Sequence, residues 1–331
     1  IILPGFANYV HPHYPKKIFL EYINDSRFTI YRGPLPAFSE LDHYVSGLDL
    51  VHCTSNVMPE LFDLPSVFTA YDITFHTHPQ FHTDENINLC VNNFAYALKS
   101  DCYFCGISQN TIEDMVKYYQ LDRERISLTY VGVDNEEFHR AIPTKILNLI
   151  KKYDLPERFF LYVGSLEPRK NLKSVINAMK LYDGQETLVV IGASGWLNSD
   201  LHLMIENHKN KVRFMGYIPQ QELPLFYSAA LATVYPSIYE GFGLPVVESM
   251  ACGTPTIISN NSSLREIGEG ASILIDNPLD PQEIAEAMVK IANDFELKEF
   301  LSKNGLERAA LFTPENCAKT TINVYKKALG I

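Results

Sequence analysis

Two glutamates lie eight residues apart around a glycine pair in the segment "SIYEGFGLPVVESMACGTP", which covers residues 237–255. Pro245 predicts the start of a helix, because its missing N–H would be unpaired there anyway, and Gly253 predicts its left-handed end. The glycines let backbone amides approach a ligand, and the helix dipole favours an anion such as phosphate. Glu248 is suited to accept hydrogen bonds from sugar hydroxyls. Together with Glu240, the segment predicts a site for a phosphorylated sugar.

The cation pair Arg169–Lys170 is a second candidate for chemistry with anions. It follows the β-rich run "FFLYVGS" and precedes the helical text "NLKSVINAMKLY". Cations at a helix N-terminus oppose the helix dipole, so the placement is unfavourable unless an anion binds there. We interpret the pair as a phosphate-binding group, and two solvated surface residues are the alternative.

Histidines and cysteines are the residues in which a metal site would be sought. His76, His78 and His82 alternate around Pro79, a pattern that we assign to structural or acceptor-side roles rather than to a metal. Six cysteines are scattered through apolar text, and even the pair Cys102–Cys105 lacks a second pair at zinc spacing. We predict buried thiols, no metal and no cofactor.

Length and charge limit the classes of protein that fit. The chain has 331 residues, which predicts two domains, and its formal charge of −11 argues against nucleic acid as the main partner. No apolar run is long enough to span a bilayer, so we expect a cytoplasmic protein, with peripheral attachment to the inner face of the plasma membrane or to a synthase complex as an alternative. The chain begins with Ile1 rather than Met, so a preceding stretch has either been removed or lies outside this sequence.

Short β-rich runs alternate with helical text along both halves of the chain. In the second half the runs are "FFLYVGS", "TLVVIGA", "KVRFMGY", "LATVYPS", "TPTIISN" and "ASILID". In the first half they are "RFTIY", "DLVHC", "SVFTAYD", "CYFCGIS" and "ISLTYVGV". Such alternation predicts an α/β fold of two Rossmann-like domains, with parallel sheets and ligands at the carboxyl ends of the strands. We predict domains at 1–140 and 141–313, and a final helix at 314–331 that packs back on the N-terminal domain, with packing on the second domain as the alternative.

The motifs "YVGSLEPRKNL" and "YPSIYEGFGLPVVESMACGTPTIISNNSSLREIGEGASILIDNPLDPQEIAEAM" resemble the retaining glycosyltransferases of family 4. The match runs through the second half in order, and "DLVHCTSN", "VFTAYDITFHTHPQFH" and "CGISQNTIEDMVKYY" fit the first half more loosely. The resemblance implies the GT-B fold, with two facing domains and a cleft between them. It also implies a nucleotide-diphosphate sugar on the second domain and the acceptor on the first.

The resemblance assigns roles to individual residues. It implies that Glu240 contacts the transferred sugar, that Glu248 binds the ribose, and that Lys170 neutralises the departing diphosphate with Arg169 beside it. Metal-dependent transferases commonly use a D-x-D pair, which does not occur in this sequence, and cationic side chains with a helix N-terminus can replace the metal. The implied catalytic residues are Glu240, Lys170 and Arg169, and the implied donor-binding residues add Gly164, Ser165, Gly241, Phe242, Gly243, Leu244 and Glu248.

Two positions depart from the family pattern. Gly164 is followed by Ser165 where many members have Arg, which shifts phosphate binding towards Arg169. Tyr71–Asp72 stands where many members have His-Asp, so the role of that histidine is open; a capping role for Asp72 is the alternative to an acceptor-side role. His76 and His78, just downstream, are further candidates for the acceptor or sugar side.

The leading hypothesis is a retaining hexosyltransferase that uses a nucleotide sugar and a glycan or lipid-linked acceptor. From the resemblance we favour GDP-mannose as donor and a bacterial surface polysaccharide as product. A nucleotide-sugar epimerase and a non-catalytic nucleotide-sugar-binding protein are the alternatives. A nicotinamide dehydrogenase is disfavoured, because no G-x-G-x-x-G follows the first strand of either half.

Overall fold

The computed structural model describes residues 2–4, 31–33, 48–54, 64–193 and 199–331. The chain divides into two compact units. The first consists of residues 1–132 together with 313–331, and the second of residues 133–312.

The second unit is built on a six-stranded parallel sheet. Its strands are β7 Phe159–Val163, β8 Thr187–Ile191, β9 Val212–Gly216, β10 Ala232–Tyr235, β11 Thr256–Ser259 and β12 Ser272–Ile275, arranged in the order β12-β11-β10-β7-β8-β9. All five residues of β7 are buried, as expected for a parallel strand covered on both faces. Because β7 and β10 pair directly, the loops that follow them emerge side by side at the carboxyl edge of the sheet.

Helices cover this sheet and complete a single apolar core. They are α4 Pro143–Tyr153, α5 Leu172–Leu181, α6 Ser199–Asn207, α7 Leu223–Ala229, α8 Leu244–Ala251, α9 Ser262–Gly268, α10 Pro281–Asn293 and α11 Phe295–Ala309. Tyr162, Val175, Val190 and Met288 are among the buried side chains of the core. The side chains of Asp280 and Asp294 accept backbone N–H bonds at the starts of α10 and α11 and so satisfy donors that helix termini leave unpaired.

The first unit contains a two-stranded and a four-stranded parallel sheet. Its strands are β1 Ile2–Pro4, β2 Tyr31–Gly33, β3 Val51–Cys53, β4 Ser66–Ala70, β5 Tyr103–Gly106 and β6 Ile126–Leu128, with the orders β1-β2 and β3-β4-β5-β6. Its helices are α1 Thr74–Thr77, α2 Asp84–Lys99, α3 Gln109–Tyr119 and α12 Pro314–Leu329. Thr83 and Ser108 cap the starts of α2 and α3.

The last helix, α12, belongs to the first unit. Val324 and Tyr325 pack with Val67 of β4 and Cys105 of β5 in one apolar cluster. The Tyr325 hydroxyl lies 2.7 Å from Nδ1 of His52, whose Nε2 lies 2.7 Å from the Thr69 hydroxyl. Burial lowers the pKa of His52 to about 3, so the ring is neutral and can donate at one nitrogen and accept at the other.

The structure differs from the sequence-based domain limits at residues 133–140, which lie in the second unit. Phe138 is buried there against Tyr227, with ring centroids 6.2 Å apart, and the Val133 N–H donates to the Phe312 carbonyl over 2.9 Å. A segment that reads as a polar linker is therefore anchored by its few apolar residues.

The predicted alternation of strands and helices is observed along the described chain. Each predicted β-rich run of the second half contains one of the strands β7–β12. Of the run "RFTIY", only Tyr31 is described, and it begins β2; the other four residues lie outside the described residues. Within the described chain no helix combines the length and the hydrophobicity needed to cross a bilayer.

Replacing Tyr325 by Phe tests how α12 is held. The change leaves a nitrogen of the buried His52 without its hydroxyl partner, which we expect to lower the free energy of unfolding of the first unit by about 1–3 kcal/mol. Urea unfolding followed by circular dichroism measures the loss. Tyr96→Phe on the exposed side of α2 is the control and should have little effect; equal losses in both variants would contradict the prediction.

Candidate active site

The turn that carries the cation pair is fastened to the loop after β10. Residues Pro168–Lys170 form one turn of 3₁₀ helix, and Asn171 follows it with a left-handed φ of 57°. The Asn171 amide donates to the Pro236 carbonyl over 2.9 Å, and the Ile238 N–H donates to the Arg169 carbonyl over 2.8 Å. These bonds hold two distant segments at one edge of the sheet, and the residues joined by the amide bond are 65 positions apart in the sequence.

Glu240 is buried in a set of groups that stabilise its negative charge. Its Oε2 lies 2.9 Å from Nη1 of Arg169, and the hydroxyls of Tyr235 and Ser237 each donate to Oε1 over 2.9 Å. Burial opposes ionisation, but the charges of Arg169 and Lys170 outweigh it, so the pKa of Glu240 is lowered below its usual value. Glu240 is therefore an anion at neutral pH although only 7% of its surface is exposed.

Two serines at the start of α9 hold the backbone of the Glu240 loop. Oγ of Ser262 accepts the Glu240 N–H over 3.1 Å, and Oγ of Ser263 lies 2.8 Å from the Glu240 carbonyl and 2.7 Å from the Phe242 carbonyl. The structure shows that Ser262 and Ser263 position the loop.

The glycine pair ends at the start of α8. Gly243 has a φ of 111°, a conformation that residues with a Cβ rarely adopt, and a Cβ there would lie 2.5 Å from Cδ2 of Leu264. The helix begins at Leu244, with Pro245 second, one residue earlier than the sequence suggested. Pro245 has no N–H and the Val246 N–H donates to the Gly243 carbonyl over 2.9 Å, so an anion at this end of α8 would be bound by the helix dipole and by the amides that precede Pro245.

Glu248 lies within α8 in surroundings very different from those of Glu240. It is 3% exposed and accepts a hydrogen bond of 2.7 Å from the Tyr227 hydroxyl. Burial, together with the charge of Glu137, raises the pKa of Glu248 from 4.5 to about 7 against the lowering effects of Tyr227 and Lys170. Donors that stabilise the carboxylate, such as sugar hydroxyls, would offset this cost of burial.

Lys170 acts on both glutamates, because its positive charge lowers the pKa of each carboxyl group. Its side chain passes close to Gly164: a Cβ at Gly164 would lie 3.1 Å from Cδ of Lys170 and 3.6 Å from Nζ. Glycine at this position therefore leaves the space that the lysine occupies. The neighbouring Ser165 donates from its hydroxyl to Glu167 over 2.6 Å.

The candidates of the first unit form a separate group. Tyr71 donates from its hydroxyl to the Thr54 carbonyl over 2.7 Å. Asp72 accepts bonds from both the N–H and the hydroxyl of Thr74, at 2.9 and 2.6 Å, and so caps the turn that follows. His76 is exposed, and its ring centroid lies 5.3 Å from that of Tyr118.

The remaining histidines of this group contact protein groups. Nδ1 of His78 lies 2.8 Å from the Thr77 hydroxyl, and its ring stacks on Phe81. Nδ1 of His82 contacts the Asn86 side chain, and its Nε2 contacts the Thr74 hydroxyl. Among the described residues, no group of three or more His, Cys, Asp or Glu side chains could hold a metal ion. His11 and His13 lie outside the described residues.

Comparison with known proteins identifies the family. The model of the family "Glycosyl transferases group 1" matches residues 147–308, which include the whole Glu240–Glu248 segment. The O-antigen chain mannosyltransferase B of Escherichia coli is 31% identical over 268 residues, which are 79% of this chain and 70% of that protein. The serotype-specific mannosyltransferase WbdA of the same organism is 30% identical over 251 residues, 72% of this chain but only 30% of that protein.

Solved structures agree on the fold. The complex of Anabaena Alr3699/HepE with UDP and glucose superposes with a TM-score of 0.76 at 19% identity, covering 94% of this chain and 88% of that chain. Both have the GT-B architecture of two Rossmann-like domains, which confirms the predicted fold class. The chain belongs to the group 1 glycosyl transferases and is a glycosyltransferase.

Several groups around the site were not found from the sequence. Tyr235 and Ser237 contact Glu240, and Tyr227 contacts Glu248, yet each stands in text that reads as an ordinary strand, loop or helix. A tyrosine at the end of a short β-rich run was the available signal at Tyr235, because a buried phenol requires a hydrogen-bond partner.

The raised pKa of Glu248 predicts a pH-dependent stability difference. A carboxyl whose folded pKa is about 7 keeps its proton in the folded state while the unfolded chain releases it near 4.5, so the wild type loses stability as the pH rises through this window. Glu248→Gln removes the penalty. The stability of this variant relative to wild type should rise by about 2 kcal/mol between pH 5 and pH 8.

Urea unfolding at the two pH values measures this difference. Glu307→Gln, at an exposed carboxyl on α11, is the matched control and should show no comparable rise. A relative stability of Glu248→Gln that stays constant with pH would mean that Glu248 is ionised normally in the folded protein.

Proposed function

We propose that this chain is a retaining transferase of family 4 that moves a hexose, with mannose preferred, from a nucleotide-diphosphate sugar to a glycan or lipid-linked glycan in cell-surface polysaccharide synthesis. The observation that carries the proposal is the assembly of Glu240, Arg169, Lys170 and Glu248 around the start of α8. The names of its relatives, which are O-antigen mannosyltransferases, support the choice of sugar and product.

The proposed donor lies along the carboxyl edge of the second unit's sheet. Its diphosphate is assigned to Lys170 and the backbone amides around Gly243 and Leu244 at the start of α8, because both are positive. Its ribose is assigned to Glu248, whose buried carboxyl gains from hydroxyl donors. The transferred sugar is assigned to Glu240. Gly164, Ser165, Gly241, Phe242, Gly243 and Leu244 complete the proposed donor contacts.

Arg169 takes a role in this proposal that differs from direct phosphate binding. Its guanidinium contacts Glu240 and the Tyr239 carbonyl, so its first effect is to keep Glu240 ionised and in place. Lys170 then provides the charge for the departing diphosphate. A preorganised cation is most effective where charge develops during the reaction, which for this transfer is the leaving phosphate oxygen.

The proposed reaction retains the configuration at the anomeric carbon. The bond from this carbon to the diphosphate oxygen breaks, and the acceptor oxygen bonds to the same face. The acceptor proton passes to the leaving phosphate oxygen, so no protein nucleophile is needed. Glu240, held as an anion, stabilises the positive charge that develops on the sugar ring in the transition state.

The acceptor is assigned to the first unit. Tyr71 and Asp72 support the backbone after β4 through their bonds to Thr54 and Thr74, which makes them positioning residues in this proposal. His76 and His78 are the candidates for contact with the acceptor. We further propose a cytoplasmic location, with association at the inner face of the plasma membrane or with a synthase complex.

Metal independence gives the first test. Transfer from GDP-mannose to a mannose-terminated acceptor should be unaffected by EDTA, because side chains and amides replace the cation.

The Lys170→Ala variant tests the proposed role of the lysine. It should lower kcat by about a hundredfold, as expected when a charge that acts on a developing anion is removed. Chromatography of the product, with NMR of the new linkage, measures both rate and retention.

Lys173→Ala is the matched control, since Lys173 is exposed on α5 three residues away. Loss of activity in EDTA that Mn²⁺ or Mg²⁺ restores would refute the metal-free mechanism. Donor consumption without acceptor would point instead to an epimerase, and an inverted linkage would refute retention.

The two glutamates should separate in steady-state kinetics. Glu248→Ala removes a contact with the unreacting ribose and should mainly raise the donor KM, whereas Glu240→Ala removes a contact that strengthens in the transition state and should mainly lower kcat. A circular-dichroism melt first confirms that each variant is folded. The donor KM and kcat are then measured at saturating acceptor. If both variants changed KM alone, Glu240 would be only a binding residue; the reverse pattern would mean that the donor lies in the opposite direction.

A further inference from the structure

A carboxylate and an amide that the proposed mechanism does not use lie beside Glu248. Glu137 is half-buried in the segment that leads into α4, and its Oε2 accepts a hydrogen bond of 2.9 Å from the Gln220 side-chain amide. Gln220 begins the turn Gln220–Glu222 that follows β9. The pair joins residues 83 positions apart, so it is a product of the tertiary fold.

A chain of contacts connects this pair to Glu248. Phe138, next to Glu137, packs on Tyr227, whose hydroxyl donates to Glu248. Glu137 also raises the pKa of Glu248, while Lys170 acts on both Glu248 and Glu240. The contact through Phe138 and Tyr227 therefore puts Glu137 close to the proposed ribose site, and the base of a nucleotide sugar is attached to its ribose.

The turn that carries Gln220 is itself held in place. Glu222 accepts hydrogen bonds from Lys152 over 2.7 Å and from the Tyr153 hydroxyl over 2.8 Å, which ties the turn to α4. Its position is therefore preorganised before any ligand binds. A polar group fixed in this way discriminates well between ligands, because it cannot adapt to one with the wrong pattern of donors.

We propose that Glu137, oriented by Gln220, recognises the base of the donor and makes the enzyme selective for guanine. This rests on the proposed function, since it needs a nucleotide sugar whose ribose lies at Glu248. An ionised carboxylate only accepts hydrogen bonds, and its two oxygens offer about four sites, so a bond from Gln220 leaves capacity for a ligand. Guanine presents two adjacent N–H groups, on N1 and on the 2-amino nitrogen, that match it.

The other common bases fit a carboxylate less well. Uracil flanks its single N–H with two carbonyl oxygens, and adenine places an acceptor nitrogen beside its amino group, so each brings acceptors against the carboxylate. Burial raises the pKa of Glu137, although the Gln220 bond lowers it, so the carboxylate is incompletely stabilised without ligand. The N–H donors of guanine supply that stabilisation, whereas a base that lacks them adds nothing to the bond from Gln220.

The test compares nucleotides that differ in these donors. Calorimetric Kd values are measured for GDP, for inosine diphosphate, which lacks only the 2-amino group, and for UDP, on the full chain and on Glu137→Gln. The wild type should bind GDP about tenfold or more tightly than inosine diphosphate and UDP. In Glu137→Gln the advantage of GDP over inosine diphosphate should fall to within about threefold, since the paired acceptor is gone.

Two further variants make the result specific. Glu136→Gln changes the exposed neighbouring carboxylate and should keep the wild-type preference. Glu248→Ala should weaken GDP and UDP by similar factors, because both carry the same ribose. Melting curves confirm that each variant is folded.

The outcomes distinguish this inference from the proposed function. Equal affinity of the wild type for GDP and inosine diphosphate would overturn base recognition by Glu137, and so would a preference for GDP that Glu137→Gln leaves intact. Either result would leave the proposed nucleotide-sugar donor standing. Failure of the wild type to bind any of the three nucleotides would overturn both this inference and the proposed nucleotide-sugar donor.

Discussion

The buried ion pair between Arg169 and Glu240 is the interaction on which the rest of the site depends. Burying two charges costs several kcal/mol per ion, and leaving one of them unpaired costs about 3–5 kcal/mol, so the partners hold each other in place. The pair links the turn after β7 to the loop after β10. Because that loop continues directly into α8, the same contact orients the helix N-terminus proposed to bind the diphosphate.

The two glutamates show how surroundings divide one residue type between two tasks. Glu240 has a cation and two hydroxyl donors, which keep it ionised despite burial. At Glu248, which accepts a hydrogen bond from the Tyr227 phenol, burial dominates and raises the pKa to about 7. The first arrangement suits a group that faces positive charge in a transition state, and the second suits one that gains stability when a ligand supplies donors.

The topology of the second sheet makes this arrangement possible. Pairing of β7 with β10 brings Lys170 and Glu240 to one edge, although β8 and β9 intervene in the sequence. The carboxyl end of β9, with Gln220 after it, lies at the same edge, which extends the line of polar groups towards Glu137. A single sheet edge can therefore carry a sequence of subsites for sugar, diphosphate, ribose and base.

The sequence by itself determined the elements and the main polar groups. Buried parallel strands such as Phe159–Val163 are nearly continuous apolar runs, and Gly243 and Pro245 mark the start of α8, so both are visible in local patterns. Only the tertiary structure decided that Arg169 pairs with Glu240, that Glu137 meets Gln220, and that α12 belongs to the first unit. These contacts depend on which strands lie side by side, because they join side chains that are far apart in the sequence. Glu137 and Gln220 are 83 positions apart, and His52 and Tyr325 are 273 positions apart. Local periodicity contains no information about them.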